Sequence, residues 1–485
     1  MTARKFAFDV SWVFISQVVT LATGFLLSVI LGRFLGAAPF GLYTMTLTIY
    51  TIASTVAGIG IPTAIVKYVA EFKENKEKLN IFVSCGVVNS VIFGAIAGTV
   101  LFTLSNTLAN VFNMPELTGL IEIIAFSLPF FVVNNTLLGL LNGLREMKSY
   151  SFRTAIRSAL LLGFTILFVG IGLGIKGAVL AVLLSEVGTL FLLIFISRNF
   201  FNFVIQDYVK TTRELVKFGS QLFLASAIYL VNTRADMLLV GYFLLDKDVG
   251  MYAIAVAFAS VFQMIPRAIS TVTYPMISEN YGKKLYQANE ILTNKTIKYS
   301  LAILSILAIL LIFFAKDIIS WLLSPEFLPA VVPLTILVLA MVFSGSLAST
   351  GGVFSAAGRP DLAFKINLAK LMPNIGLDIL LIPMFGIIGA AIGTAASILV
   401  GTVLGIYLRI KILGVKINLR YYPPVMISIP VMIATFSIFE NLFNSYLPAG
   451  IIFSIYILLV LRFYLDKEDR EELKQIIGNL ITLRS

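Results

Sequence analysis

The sequence contains no histidine, one cysteine (Cys85) and two tryptophans in 485 residues. Without histidine, the commonest metal ligand and the commonest acid–base side chain near neutral pH are missing. This argues against a zinc enzyme or a histidine-based catalytic triad. One cysteine forms no intrachain disulfide, so it says nothing about compartment. Charge is also scarce: Asp, Glu, Lys and Arg make up 13% of the chain, against about 25% in soluble globular proteins. There is no phosphate-binding Gly-Lys-Ser/Thr loop, and no hydrophilic segment is long enough to fold into a nucleotide-binding domain. The chain is therefore not expected to be an ATP-driven pump.

What is present is apolar: 59% of the residues are hydrophobic. They come in runs of roughly 20 or more, long enough to cross a ~30 Å hydrocarbon core as helices. The alternating segments of about ten residues that mark a membrane β-barrel are not seen. The expected class is an all-α polytopic membrane protein. Charged and turn residues delimit fourteen transmembrane helices, at 10–32, 40–66, 80–104, 119–143, 156–174, 177–197, 218–243, 249–277, 299–323, 330–354, 367–384, 387–408, 423–441 and 447–464. The opening "MTARKF" is followed by a long apolar run without a small-residue cleavage site, which reads as a retained first span.

Lys and Arg collect on cytoplasmic loops. Of the 36 here, thirty fall in alternate segments or at the span ends that border them (Arg157, Lys370 and Arg462 among the latter), starting with the N-terminus and ending with the tail. Only Arg33, Lys176, Lys247 and Lys316 lie on or toward the other side, and Arg234 and Arg267 lie deep inside spans. Both termini are therefore expected in the cytoplasm of a multi-pass cell-membrane protein. The net charge of +11 then reads as a topology signal, with no nucleic-acid partner.

A short connector is written twice. "GRFLGAAPFGLY" (32–43) and "GYFLLDKDVGMY" (241–252) align without gaps, pairing Gly32 with Gly241, Phe34 with Phe243, Leu35 with Leu244, Gly41 with Gly250 and Tyr43 with Tyr252. "GIKGA" (174–178) and "GIIGA" (386–390) recur at the matching later position. Six spans thus repeat, and an even number keeps both copies in the same orientation. The expectation is two parallel six-helix lobes, spans 1–6 (1–197) and 7–12 (218–410), related by a pseudo-two-fold along the membrane normal. A cytoplasmic connector (198–217), spans 13–14 (411–465) and a cytoplasmic amphipathic tail (466–485) complete the chain. In the tail, Leu473, Ile476, Ile477, Leu480 and Ile481 form one helical stripe. Gly41 and Gly250 read as tight-turn glycines, and Tyr43 and Tyr252 as interfacial anchors.

"GRFLGAAPFGLYT…GIGIPTAIVKYVAEF" resembles the start of the polysaccharide-transporter family, the O-antigen and lipid-linked-oligosaccharide flippases. "LVNTRADMLLVGYFLLDKDVGMYAIA", "PRAISTVTYPMISENYGK" and "AAGRPDLAFKINLAK…LLIPMFGIIGAAIGTA" resemble later parts of the same family. Its superfamily also holds the multidrug and toxin extruders and the lipid II flippases. The resemblance implies a two-lobed fold that moves a prenyl-(pyro)phosphate-linked oligosaccharide to the outer leaflet by alternating access, working as a monomer in membrane lipid. No cofactor is implied, although Na+ or H+ coupling is compatible with it. Fourteen spans agree with the flippases; the extruders usually have twelve.

Charge inside a membrane is expensive, about 2.5–3.5 kcal/mol at a helix centre, and calls for a partner or a function. Arg234 and Arg267 read as the only basic residues buried within spans. Guanidinium forks fit phosphate oxygens, so these two are the candidate ligands for a lipid phosphate, the alternative being an ion pair with Asp236 or Glu186. Arg33 at the outer mouth is a further candidate, or simply an anchor. Arg234 and Asp236 are two residues apart, about 200° on a helix, and so face opposite ways. "IPRAIS" suggests a kink next to Arg267. Asn232, with Asn134, Asn135 and Asn142, is a candidate for sugar contact. Asp236, Glu186 and Asp378 are candidates for ion coupling, or for helix-to-helix hydrogen bonding. Lys370 is placed to snorkel to the cytoplasmic edge. The competing functions are a cation-coupled multidrug exporter of the same superfamily and a membrane glycosyltransferase; the short outer loops disfavour the latter.

Overall fold

The structure is a computed structural model that describes residues 3–443, 447–464 and Asp469. The regular elements are all helical: α1 (Ala3–Leu35), α2 (Ala37–Gly58), α3 (Ile61–Glu71), α4 (Lys76–Thr103), α5 (Ser105–Val111), α6 (Leu117–Ala125), α7 (Leu128–Leu144), α8 (Met147–Gly170), α9 (Gly174–Ser197) and α10 (Tyr208–Phe243). There follow α11 (Asp246–Val261), α12 (Met264–Gly282), α13 (Tyr286–Leu322), α14 (Val331–Ala348), α15 (Val353–Ala356), α16 (Pro360–Phe385), α17 (Ile387–Lys411), α18 (Tyr422–Phe443) and α19 (Leu447–Tyr464). Among the described residues, ten stretches are long and apolar enough to cross a membrane, or twelve if each of two bent helix pairs is one span. These twelve correspond in order to the first twelve expected spans. The chain is a multi-pass, all-helical membrane protein.

Several spans are broken, and the breaks have local causes. Between α2 and α3, Ile59 (φ 41°) and Gly60 (φ 71°) both take the left-handed conformation, and Pro62 sits in the first turn of α3. Such a φ is unusual for a β-branched residue; it lets the chain change direction inside what reads as one apolar run. α6 and α7 meet at 45°, with Pro129 in the first turn of α7. α10 is bent by 43° between Tyr208–Leu224 and Ser226–Phe243. Just before "IPRAIS", where a kink is expected, the helix is interrupted at 262–263, between α11 and α12.

By internal packing the chain divides into two units. One is Met1–Phe258 with Ser320–Pro333 and Asn367–Ser397; the other is Ala259–Ile319 with Leu334–Ile366 and Ile398–Ser485. In the first unit the repeated connectors meet. Gly41 and Gly250 lie within helices α2 and α11, not in tight turns; the turn glycine is Gly36 (φ 86°). A Cβ on Gly41 would overlap the carbonyl oxygen of Asp246 and lie 2.9 Å from the Gly250 nitrogen. A Cβ on Gly250 would overlap the carbonyl oxygen of Ala37 and lie 3.1 Å from the Gly41 nitrogen. The contact is reciprocal, as a two-fold requires: each glycine meets the residue four before its counterpart. Glu326 braces both connectors, accepting from the Ala37 N–H at 3.3 Å and pairing with Lys247 at 3.5 Å. Tyr43 and Tyr252 are not interfacial anchors: they are 5% and 0% exposed, because the connector packs them into the bundle.

In the second unit, Arg409 near the end of α17 is buried. Its guanidinium reaches the carbonyl oxygens of Thr350 at 3.3 Å and Leu347 at 3.4 Å, and lies 4.8 Å from the Phe354 ring. A cation on the carbonyls that end a helix is favourably placed. Lys298 pairs with Asp469 at 2.6 Å, and the Tyr299 hydroxyl also donates to Asp469. Apart from Asp469, the tail expected at 466–485 lies outside the described residues.

Candidate functional site

Three polar features of the first unit lie within its membrane-spanning helices. The first is a cavity of about 480 Å3 between α2, α3, α7, α8 and α10, within the usual size range of small-molecule sites. Ser54, Thr55, Thr63, Asn135, Asn142 and Tyr150 give it hydroxyls and amides, and Phe131 and Phe223 give it rings. Ser54 and Thr55 donate back to the Thr51 carbonyl at 2.9 and 2.8 Å, so their oxygens remain able to accept. Hydroxyls, amides and flat rings are the groups that recognise sugars. Of the expected sugar contacts, Asn135 and Asn142 line this cavity. Asn134 does not; it donates to the Glu186 carboxylate at 2.7 Å and to its backbone carbonyl at 2.9 Å. Asn232 donates to the Asn367 carbonyl at 2.8 Å and to the Ile228 carbonyl at 3.1 Å, a helix-to-helix tie.

The second feature is a buried ionic cluster. Glu186 in α9 is fully buried and accepts from Arg157 Nε at 2.6 Å, with Arg153 Nη2 at 3.8 Å. Both arginines stand on α8, four residues apart, and so share one face. Tyr150, which lines the polar cavity, is on the same face one turn earlier. Two guanidiniums against one carboxylate leave one positive charge over, and the buried Arg153 Nε has no hydrogen-bond partner. The arrangement can accept an anion such as a phosphate. The expectation that Arg234 and Arg267 are the only buried basic residues therefore fails. Arg153 is 5% exposed and Arg409 3%, whereas Arg234 is half-buried and Arg267 exposed. A fifth span starting at residue 156 leaves Arg153 outside the membrane, whereas α8 runs from Met147 to Gly170. The overlooked signal was the pair of arginines at i and i+4, followed by an apolar helix.

The third feature is a carboxyl cluster formed by α10, α11, α16 and α17. Asp236 accepts from the Tyr252 hydroxyl at 2.9 Å, the Met237 N–H at 2.8 Å and the Thr394 hydroxyl at 3.5 Å. Asp378 is fully buried, and neither of its oxygens has a partner. One turn before it, buried Asn374 leaves its own amide oxygen unpaired. α17 meets Asp378 with a glycine: a Cβ on Gly393 would overlap Asp378 Oδ1. Two carboxyls, an amide oxygen and two hydroxyls make an oxygen-only donor set, the kind that hard cations prefer. Lone carboxyls of this sort in membrane helices mark ion or proton pathways.

The remaining candidates are tied to local structure. Arg33 is exposed and donates to the Trp321 carbonyl at 3.0 Å. Arg267 donates to Gln263, one turn earlier, at 3.0 Å. Lys370 is half-buried, and its carbonyl accepts from Ser397 at 2.9 Å.

A family profile described as polysaccharide biosynthesis protein matches residues 6–281, and a MatE profile matches residues 222–380. An uncharacterized membrane protein of Methanocaldococcus jannaschii is 23% identical over 97% of this chain and 98% of its own length. A putative O-antigen transporter of Shigella flexneri is 20% identical over 80% of this chain and 94% of its own. Among solved structures, the lipid II flippase MurJ in an inward closed conformation superposes with a TM-score of 0.77 at 18% identity, covering 94% of this chain and 99% of that one. That likeness shows the fold, and the first profile spans more than half of the chain. The chain belongs to the polysaccharide biosynthesis protein family of the multidrug/oligosaccharidyl-lipid/polysaccharide exporter superfamily, whose members are transporters and not enzymes.

Proposed function

We propose that the protein is a flippase that carries a prenyl-(pyro)phosphate-linked oligosaccharide from the cytoplasmic to the outer leaflet of the cell membrane, for cell-surface polysaccharide or glycan synthesis. It has fourteen spans, cytoplasmic termini and two parallel six-helix lobes, and acts as a monomer by alternating access. The observation that carries this reading is the polar cavity beside a buried cluster with one arginine charge in excess. Amides and hydroxyls suit the sugar, and the free guanidinium donors suit the phosphate. The names of relatives, an O-antigen transporter and two probable archaeal flippases among them, support the same substrate class. Asp236 and Asp378, with Asn374 and Thr394, would hold the Na+ or H+ that couples transport. A cation-coupled multidrug exporter is the second reading, favoured by the MatE match over residues 222–380.

The test is reconstitution in proteoliposomes with a fluorescent undecaprenyl-diphosphate oligosaccharide, following its exposure to an external lectin. Transport is expected, and Asn135→Leu with Asn142→Leu should slow it about tenfold, the loss expected when several buried polar contacts to the substrate are removed. Asp378→Asn should abolish stimulation by an imposed Na+ or proton gradient. Lipid-linked sugar left unmoved while cationic dyes are exported would establish the second reading. Topology has its own test. Reporters fused after Glu116 should be exported and those after Lys284 retained, and the reverse result would overturn the orientation.

A further inference from the structure

Tyr252 belongs at once to the carboxyl cluster and to the contact between the repeated connectors. It stands on α11 two residues after Gly250, and residues two apart on a helix point about 200° away from each other. Gly250 meets Ala37 and Gly41 on α2. On the other side, the Tyr252 hydroxyl meets Asp236 on α10 at 2.9 Å and Thr394 on α17 at 3.3 Å. The start of α11 therefore lies between the glycine contact and the cluster. The ring is fully buried, so it moves only with its helix. What turns on its own is the hydroxyl hydrogen.

The two acids of the cluster are not alike. Both Asp378 oxygens lack a partner. Both Asp236 oxygens are taken: Oδ1 accepts from the Met237 N–H at 2.8 Å and Oδ2 from Tyr252. A cation shared by the two carboxyls has to compete at Asp236 with one of these donors. The main-chain N–H is fixed by its helix and stays. The Tyr252 hydrogen is free to swing to the Thr394 oxygen and leave Oδ2 open. The bond between α10 and α11 is then lost two residues from Gly250.

We infer that Tyr252 couples the carboxyl cluster to the connectors. Its hydroxyl holds α11 to Asp236 while the carboxyls are free and releases it when they hold Na+, so that the glycine contact parts. The inference rests on the cation-coupled reading of the cluster, which the flippase and exporter readings share, and adds the route from that cluster to the connectors.

The test uses the full chain in lipid nanodiscs without substrate. It carries Cys85→Ala and spin labels at Ala38→Cys and Asp248→Cys, and Na+ replaces choline stepwise at constant ionic strength. The short component of the label distance should shrink as Na+ rises. Tyr252→Phe keeps the ring and removes the hydroxyl. It should show the reduced short component already without Na+ and no further response. By calorimetry it should bind Na+ about fivefold more tightly, since a bond that Na+ has to break is absent and the coupling is reciprocal. Tyr43→Phe makes the same change in the other connector, on α2, and should leave Na+ affinity and response as in the parent. Weaker Na+ binding in Tyr252→Phe would make the phenol a ligand and overturn the coupling role, as would a preserved Na+ response. Equal changes in Tyr43→Phe would assign the effect to connector packing and overturn it too. A parent that binds Na+ without any change in distance would overturn the route alone; one that binds no Na+ would overturn the cation reading with it. Lipid-linked sugar left unmoved while the labels respond to Na+ would remove the flippase reading and leave this one standing.

Discussion

Gly250→Val should reduce transport to background while the protein still accumulates and purifies as a single species. The reason is steric. The Gly250 position has the Ala37 carbonyl oxygen against it, with no room even for a Cβ, and Gly41 faces Asp246 in the same way. Backbone has nowhere to move, so the connector ends of α2 and α11 have to part. In an alternating-access cycle they part anyway in one of the two states, so that state survives and the other is lost. Paired cysteines report it directly. With Cys85→Ala, the exchanges Ala38→Cys and Asp248→Cys place labels on the two connectors. The parent should show a broad distance distribution with a short component that shifts when lipid-linked sugar is added, since a ligand moves such a balance only by binding the two states unequally. The Gly250→Val variant should lack the short component. An unchanged distribution with normal transport would mean that this contact is not remade during the cycle.

The second large effect is on stability. Glu186→Leu removes the carboxylate shared by Arg153 and Arg157 and leaves two guanidiniums in a buried site. Leaving buried charge without its partner costs about 3–5 kcal/mol. The purified variant should melt many degrees lower, or reach the membrane in much smaller amount. Replacing the whole cluster is different, because apolar groups of similar volume often substitute for buried ions without loss. Glu186→Leu combined with Arg153→Leu and Arg157→Leu should therefore recover most of the melting temperature. It should not recover transport, since the positive charge available to a phosphate is gone. A triple variant that both melts and transports like the parent would show that the cluster only holds helices together.

The first twelve spans were legible because runs of apolar residues are a property of composition along the chain. The breaks were legible only in part. Pro266 announces the interruption between α11 and α12; nothing in "AGIGIP" distinguishes the left-handed Ile59 from a residue inside a continuous helix. The acids were found correctly as buried groups, because so few carboxylates interrupt the apolar runs. Their surroundings were not found. Glu186 meets Arg153, which precedes the expected start of span 5, and Arg157, which lies just inside it, and Asp378 owes its close contact to Gly393 in the following helix, a relation that depends on how two helices rotate about their axes. Helix geometry sets Arg234 and Asp236 about 200° apart; Asp236 is 8% exposed and Arg234 half-buried.

The meeting of Gly41 and Gly250 is made of main chain only, and this limits what can act on it. Peptide groups neither titrate nor carry net charge, so the seam itself has no means of sensing pH, salt or membrane voltage. The charged groups beside it, the half-exposed Lys247–Glu326 pair with Asp246 and Asp248, respond to ionic strength, and pairs of that kind contribute under about 1 kcal/mol. In the proposed alternating-access cycle, the signal that opens or closes the connectors has to originate away from this main-chain contact and arrive as movement of whole helices. In that cycle the seam would act as a mechanical stop, and variants that change coupling should be sought away from it.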